Sequence, residues 1–379
     1  MSSFYRFPNS RFRNLLAAFF VVSSSAVYAQ TDTTQVEEDY SKYETAQVLG
    51  DGSVKRYATQ KVFGQTPARL ISIGYEYQLP FALRVNTPQP ATATDNSISD
   101  RVTAASGLRV EANFPIISRN NIIWNLGGGY ADMNYSTQSA ASPQVARSTF
   151  ANALSSNGLR NFYATTTLFK PFDEKNLLIV QALAEYAGDW RPNSMMPLSA
   201  TKISATAVYG RKIHDRFMWG VGATRTFRAG QINYLPVVLL NYTSRTQKWG
   251  IEMLAPARAD FRYNFTSRNM LRLGVELEGT SYRLHNGADN FKADGNTVSK
   301  FLELRRSEIK FRAIWDAPIK DFYWFSLQAG YRTFYNFSLD DGDPSPARSL
   351  FSSSNALYFQ RNLPGGGPFV SLIFNLVSP

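Results

Sequence analysis

The sequence predicts an all-β chain: an antiparallel up-and-down transmembrane β-barrel of about fourteen strands, within bounds of twelve to sixteen. Three observations predict it. From about Ala68 onward, apolar residues recur with period two in one segment after another, as strands with one apolar and one polar face require. The links between these segments alternate between tight turns and long polar stretches, the two rims of a membrane barrel. No apolar run reaches the roughly 20 residues that a membrane helix needs.

In chain order, residues 1–29 read as a signal peptide. Arg6, Arg11 and Arg13 form a basic start, residues 15–22 an apolar core, and Val27-Tyr28-Ala29 a cleavage site after Ala29. Residues 30–66 are polar and aperiodic, with Glu37-Glu38-Asp39 near their start. They read either as a flexible periplasmic lead-in or as a small plug entering the barrel. Residues 67–379 form the barrel.

In its first strand, Ile71, Ile73, Tyr75, Tyr77 and Leu79 oppose Ser72, Gly74, Glu76 and Gln78. In the second, Leu108, Val110, Ala112 and Phe114 oppose Arg109, Glu111 and Asn113. The pattern returns at Ile203-Ala205-Ala207-Tyr209, Phe217-Trp219-Val221-Ala223, Ala259-Phe261-Tyr263-Phe265 and Leu271-Leu273-Val275-Leu277. It returns again at Ile309-Phe311-Ala313-Trp315 and Phe325-Leu327-Ala329-Tyr331. The last strand, with Val370, Leu372, Phe374 and Leu376 on one face, meets the chain end, where a barrel seals against its first strand.

Tight turns are expected at residues 118–121, 171–174, 214–215, 244–246, 266–269 and 318–321. Long outer loops are expected at 80–101, 132–157, 188–200, 284–299 and 338–355. The segment 233–242 is apolar on both faces and contains Pro236, so the lumen is greasy there or a loop packs inside.

Composition bounds the chemistry. The chain has 27 Phe, 20 Tyr and 6 Trp, enough for interfacial girdles at both membrane surfaces. It has no cysteine, which excludes disulfides, thiolate metal sites and cysteine nucleophiles. The formal charge of +11 falls to +8 without the three arginines of residues 1–29. In an exported barrel this excess points to anionic solutes or lipopolysaccharide phosphates rather than nucleic acid.

On these residues, with Val27-Tyr28-Ala29, the alternating segments and the closing strand at 369–376, the chain resembles a Gram-negative outer-membrane β-barrel protein of an uncharacterised family. The resemblance implies an outer-membrane location after cleavage near Ala29. It also implies lipid and lipopolysaccharide surroundings, insertion by the barrel-assembly machinery, and no cofactor. One departure is that Val377-Ser378-Pro379 follows the strand where such barrels often end on an aromatic residue.

The candidate site is a set of charges on inward faces. Arg258, Asp260 and Arg262 come first, then Arg272, Glu276 and Glu278, then Glu308, Lys310 and Arg312, then Arg332. Glu76, Arg109 and Glu111 extend the set across the seam. An outward register would place them in lipid at about 2–4 kcal/mol for each Arg or Lys near the midplane. The set reads either as an ion-pair network bracing one wall or as a lining that selects solutes.

Two histidines exist. His214 sits beside Asp215 in an expected turn. His285 opens an expected outer loop near Ser281 and Asn286, without diagnostic spacing. Asp340-Asp341-Gly342-Asp343 lacks the full register of a calcium loop and reads as a polar turn. No catalytic residue and no metal ligand is assigned. The expected function is a passive channel for small hydrophilic solutes with a mild preference for anions. Two alternatives stand beside it: a transporter of hydrophobic molecules with residues 30–66 as a hatch, motivated by Leu235, Val237 and Leu239, and a non-conducting surface-interaction barrel.

Overall fold

Fourteen antiparallel strands close on themselves in the computed structural model. It describes residues 56–86, 97–140, 148–227, 233–285, 301–340 and 360–378, with the short extended pieces Gln47–Val48, Val54–Lys55 and Arg348–Ser349. The strands are β1 (Arg69–Gln78, continuing as Phe81–Asn86), β2 (Ser97–Arg119), β3 (Ile122–Ser139), β4 (Leu159–Pro171) and β5 (Asn176–Gly188). Then come β6 (Lys202–His214), β7 (Phe217–Thr226), β8 (Asn233–Thr243), β9 (Trp249–Ala255) and β10 (Arg258–Asn264). The last are β11 (Met270–His285), β12 (Phe301–Lys320), β13 (Tyr323–Asp340) and β14 (Gln360–Pro364 with Gly367–Val377). One helix, α1 (Thr149–Asn157), lies between β3 and β4.

Closure occurs where the sequence places it. β14 pairs with β1 from Phe369 opposite Gln78 to Leu376 opposite Ile71. A closed ladder leaves no strand edge in the hydrocarbon, which is why strands can cross a bilayer at all. Period-two alternation then sorts the side chains. Tyr75, Phe162, Val221, Leu273, Phe311 and Leu372 stand exposed on the outside, whereas Ser72, Asp260, Arg272, Lys310 and Arg332 are buried within. Aromatic residues gather at the end of the barrel that carries the short turns. Trp249 stacks on Phe261, Trp315 meets Phe325 edge-on, and the Trp315 indole N–H donates to Asn269 Oδ1 at 2.8 Å.

Two of the long loops expected from the sequence, 80–101 and 132–157, are strand over part of their length. Residues 81–86 and 97–101 continue β1 and β2, and residues 132–139 continue β3. The cause in β1 is a break at Leu79 and Pro80 that reverses the alternation. Even-numbered residues face inward before it, and Phe81, Leu83 and Val85 after it. The inward face also changes from polar to apolar there, so the outer extension does not read as the same strand.

Above the charged layer, those three side chains join Val102, Met133, Tyr135, Leu159, Leu302, Leu304, Phe337 and Leu339 in an apolar layer. α1 completes it with Phe150, Ala151 and Leu154. Its ends are fixed. Ser148 Oγ accepts from Ala151 N–H at 3.1 Å, and Gly158 N–H donates to Leu154 O at 3.0 Å. Gly158 has φ +67°, and a Cβ there would lie 2.8 Å from Asn134 Oδ1, so the C-terminal turn requires glycine.

The shortest strands, β9 and β10, have seven residues each. The β8–β9 ladder begins only at Val238 opposite Ala255, so Pro236 lies where β9 does not reach, as a residue without an N–H tolerates.

Candidate functional site: a charged wall and its coverings

Inward positions of β1, β2 and β10–β13 carry all thirteen of the charges singled out from the sequence, and most of them meet in ion pairs, some between neighbouring strands and others between strands that do not pair in the sheet. Lys310 Nζ lies 2.5 Å from Glu278, 3.2 Å from Glu76 and 3.4 Å from Glu308. Arg332 pairs with Glu76 and, at 3.2 Å, with Glu308. Arg109 reaches Glu278 at 2.7 Å. Arg312 pairs with Glu276 and, at 3.2 Å, with Asp260. Arg272 lies 3.8 Å from Asp260. The register accounts for the pairs within β10–β13, where Arg258 stands opposite Glu276, Arg312 opposite Gly274, and Lys310 opposite both Glu276 and Arg332, whereas the bonds of Glu76 to Lys310 and Arg332 and of Arg109 to Glu278 join strands that share no ladder.

Burial divides the set. Arg332, Arg262, Glu308, Asp260 and Lys310 are at most 2% exposed. The side chains of Arg109 and Glu111 are 45% and 43% exposed and 4.0 Å apart. Glu278 and Glu276 are 29% and 26% exposed, and Arg258 is exposed. A wet patch therefore lies beside a dry, interlocked one. A small cavity of about 30 Å³, room for a single water, is lined by Glu76, Arg109, Glu278, Tyr282 and Arg306 among others.

Several members of the wall were missed in the sequence. Arg306 bonds Glu308 at 3.1 Å. Asp316 accepts from Arg272 at 2.8 Å and from Arg69 at 2.9 Å. Arg262 has its partner in Glu252 of β9, at 2.7 Å, and a second acceptor in Thr243 Oγ1 at 2.8 Å. Arg306 and Asp316 continue the even-numbered face of Glu308, Lys310 and Arg312, so extending that parity by four residues each way would have found them. Glu252 sits in a seven-residue strand too short for alternation to register.

The opposite wall is apolar. Phe169, Leu177, Val208, Met218, Val237 and Leu239 face inward, and residues 56–66 cover them with Ala58 and Val62. This strap follows the rim that carries the short turns. Ala58 N–H donates to Asp173 O at 2.8 Å, Phe63 N–H to Asp215 O at 2.9 Å, and Thr66 N–H to Glu252 Oε1 at 3.0 Å. Lys212 Nζ donates to Thr59 Oγ1 and, at 3.2 Å, to Lys61 O. The inward greasiness of Leu235, Val237 and Leu239 thus has an occupant on part of its length.

On the strap, burial pushes the Lys61 ammonium down to about 8, against the pull of Glu252. In the β4–β5 turn, Asp173 is held at about 2 because the Asn176 side chain and the N–H groups of Asn176 and Lys175 donate to it.

His214 lies in the β6–β7 turn, where its Nδ1 accepts from Arg216 N–H at 3.2 Å. His285 ends β11. Ser281 is buried four residues back, and Asn286 lies outside the described residues, as do Asp341, Gly342 and Asp343. Its partner is Asp189, which follows β5, with Nδ1 to Oδ1 at 2.9 Å. No cluster of three or more metal-ligating side chains occurs among the described residues.

Three comparisons with known proteins bear on this barrel. No curated protein matches the chain. Among solved structures, the COG4313 outer membrane channel from Pseudomonas putida F1 is similar at 10% identity, over 83% of this chain and 97% of that one, with a TM-score of 0.34. The Pseudomonas putida toluene transporter TodX is similar at 8% identity, over 86% and 95%, with a TM-score of 0.29. OccAB4 of Acinetobacter baumannii is similar at 8% identity, over 82% and 99%, with a TM-score of 0.24. The model of a domain of unknown function, DUF6268, matches residues 93–365. That match spans most of the barrel from β2 to β14, and the chain belongs to the DUF6268 family, a domain of unknown function.

Proposed function

We propose that this barrel is a conduit for small hydrophilic solutes with a mild preference for anions, narrowed by its own coverings. The observation that carries the reading is the wet charged patch. Arg109, Glu111, Arg258, Glu276 and Glu278 stay accessible beside charges that are buried in pairs; the patch is mixed in sign, and the preference for anions rests on the net positive charge of the chain. Buried, paired charges brace; only the accessible ones meet a passing ion. The apolar layer with α1 lies outward of this patch and restricts passage from that side. Export after cleavage at Ala29, insertion by the barrel-assembly machinery and contact with lipopolysaccharide belong to the same reading.

Planar-bilayer recording of the purified mature chain tests it. Small steady currents are expected, and replacing Arg109 and Arg258 by Ala should move the reversal potential towards cation selectivity. An unchanged reversal potential would overturn the anion preference, and silence under all conditions would favour a non-conducting surface-interaction barrel. A second reading, transport of hydrophobic molecules, is favoured by the apolar wall under Ala58 and Val62. It expects currents, or uptake of an apolar dye into proteoliposomes, only after residues 30–66 are deleted.

A further inference from the structure

At the outer end of the barrel, three side chains from distant parts of the chain line up outside the lumen. Asp189 follows β5, Ser194 lies in the β5–β6 connection, and His285 ends β11. His285 has the parity of the exposed Leu273 and Val275, so it stands on the outer face of its strand. Asp189 Oδ1 accepts from the His285 backbone N–H at 3.0 Å and lies 2.9 Å from its Nδ1. A carboxylate that already accepts one N–H takes a second at Nδ1, which fixes the tautomer with the proton there and leaves Nε2 as an acceptor. Ser194 Oγ is 3.2 Å from that Nε2.

The supporting contacts hold this arrangement. Asp189 is buried to 6% exposure. Its other oxygen accepts from Asn157 Nδ2 at 3.1 Å, and its backbone N–H donates to Arg283 O at 3.2 Å. Ser194 sits in a doubly bonded turn with Arg191, with N···O distances of 2.9 and 3.1 Å, and is itself exposed. Trp190 and Met196 pack on Tyr130 and Tyr186 on the outer surface of the barrel. Met195 and Leu198 are left 56% and 85% exposed beside the serine. A hydroxyl with a base at hydrogen-bond distance, a base oriented by a buried carboxylate, and a flanking apolar surface are the parts that acyl transfer from an amphiphile requires.

We propose that Ser194, His285 and Asp189 form an esterase site on the outer rim, acting on acyl esters of membrane amphiphiles. Ser194 Oγ adds to the ester carbonyl carbon while its proton passes to His285 Nε2. The carbon–oxygen bond to the alcohol breaks, and the alcohol leaves with that proton. Water then adds to the acyl-serine, giving a proton to Nε2. The acyl–serine bond breaks, the fatty acid departs, and the proton returns to Ser194 Oγ. Asp189 is a positioning residue: it touches no substrate and keeps Nε2 unprotonated and aimed at the hydroxyl.

The full chain, purified in detergent, is treated with a fluorophosphonate probe and assayed with p-nitrophenyl octanoate in mixed micelles. The expected results are covalent labelling at Ser194 and hydrolysis that falls on the order of 10³-fold in Ser194→Ala and His285→Ala. Asp189→Asn should lower kcat with KM unchanged. The mobility of unheated protein on gels confirms that each variant retains the barrel. A folded wild-type chain that takes no label at Ser194, or hydrolysis equal in wild type and Ser194→Ala, would overturn the proposal. Labelling needs no variant, so a variant that fails to fold does not rescue it.

Discussion

On the wall formed by β10–β13 with β1 and β2, inward positions carry charges and other barrel strands supply the opposite sign. On the wall formed by β4–β9, inward positions carry Phe169, Leu177, Val208, Met218, Val237 and Leu239, and residues 56–66 supply the cover. The first wall is satisfied by side chains of the barrel strands themselves, in part between ladder neighbours and in part, as with Arg109 and Glu278, between strands that share no ladder. The second depends on a segment outside the ladder, held by a few rim hydrogen bonds and two small apolar side chains. Fourteen strands enclose more space than their side chains fill, and these are two different answers to that surplus. Only the second can be undone without unfolding the barrel, so a change in the width of the passage belongs to the strap side or to α1.

The comparison breaks most severely at Glu308. This carboxylate, 1% exposed, faces Arg306, Lys310 and Arg332. Glu308→Ala leaves three buried cations short of a partner, and removing one member of a buried pair typically costs about 3–5 kcal/mol. The temperature at which the unheated gel band is lost should fall sharply. Glu111→Ala is the control: the pair is half-exposed at 4.0 Å, and its loss should stay within about 1 kcal/mol. Equal effects of the two variants would show that burial does not divide the network.

Next in size is Leu154→Ala in α1, 4% exposed within the apolar layer. Such truncations cost about 2–5 kcal/mol where the site cannot collapse. Here the loss falls on the docking of a helix between two strands, so single-channel conductance should rise while reversal potential is unchanged. Smaller again is Val62→Asp on the strap, where an unpaired carboxyl against Leu177 and Met218 disfavours docking by about 1–3 kcal/mol. Proteolysis within residues 56–66 should accelerate while the barrel's gel mobility stays the same. A barrel that melts with the strap would mean that the two walls are not independent.

The strand count, closure at the chain end and the inward charged wall were all legible in the sequence, because each depends on local alternation alone. Lys310 and Arg312 are assigned to the lumen by parity and by the cost of any other placement. What was not legible depends on breaks in parity or on long-range assembly. Leu79 and Pro80 reverse the face of β1 and hide the apolar layer. Glu252 and Arg262 meet across a hairpin of two seven-residue strands. Asp189 and His285 are 96 residues apart, and nothing near either one announces the other. The double apolarity around Val237 was visible as an anomaly, and the strap gives it a cause that no reading of the strand alone could supply.

Lys61 gives the gentlest test of the same contrast, through pH. Its docked ammonium titrates near 8 rather than at the ordinary 10.5, with burial as the leading cause. Below pH 8 the lysine is charged in both states, and its desolvation weighs fully against docking. Between pH 8 and 10.5 the released strap holds more protons than the docked one, so docking strengthens as pH rises; above 10.5 the effect is complete. Glu252 and the Lys212–Asp215 pair face the same segment. A spin label at Gln60→Cys, in a chain with no other cysteine, should report a more immobile strap at pH 10 than at pH 8. Lys61→Met should remove most of that difference and tighten the strap at pH 7. If mobility instead rises with pH in the wild type, the attraction to Glu252 outweighs burial, and the strap is held by charge like the wall it faces.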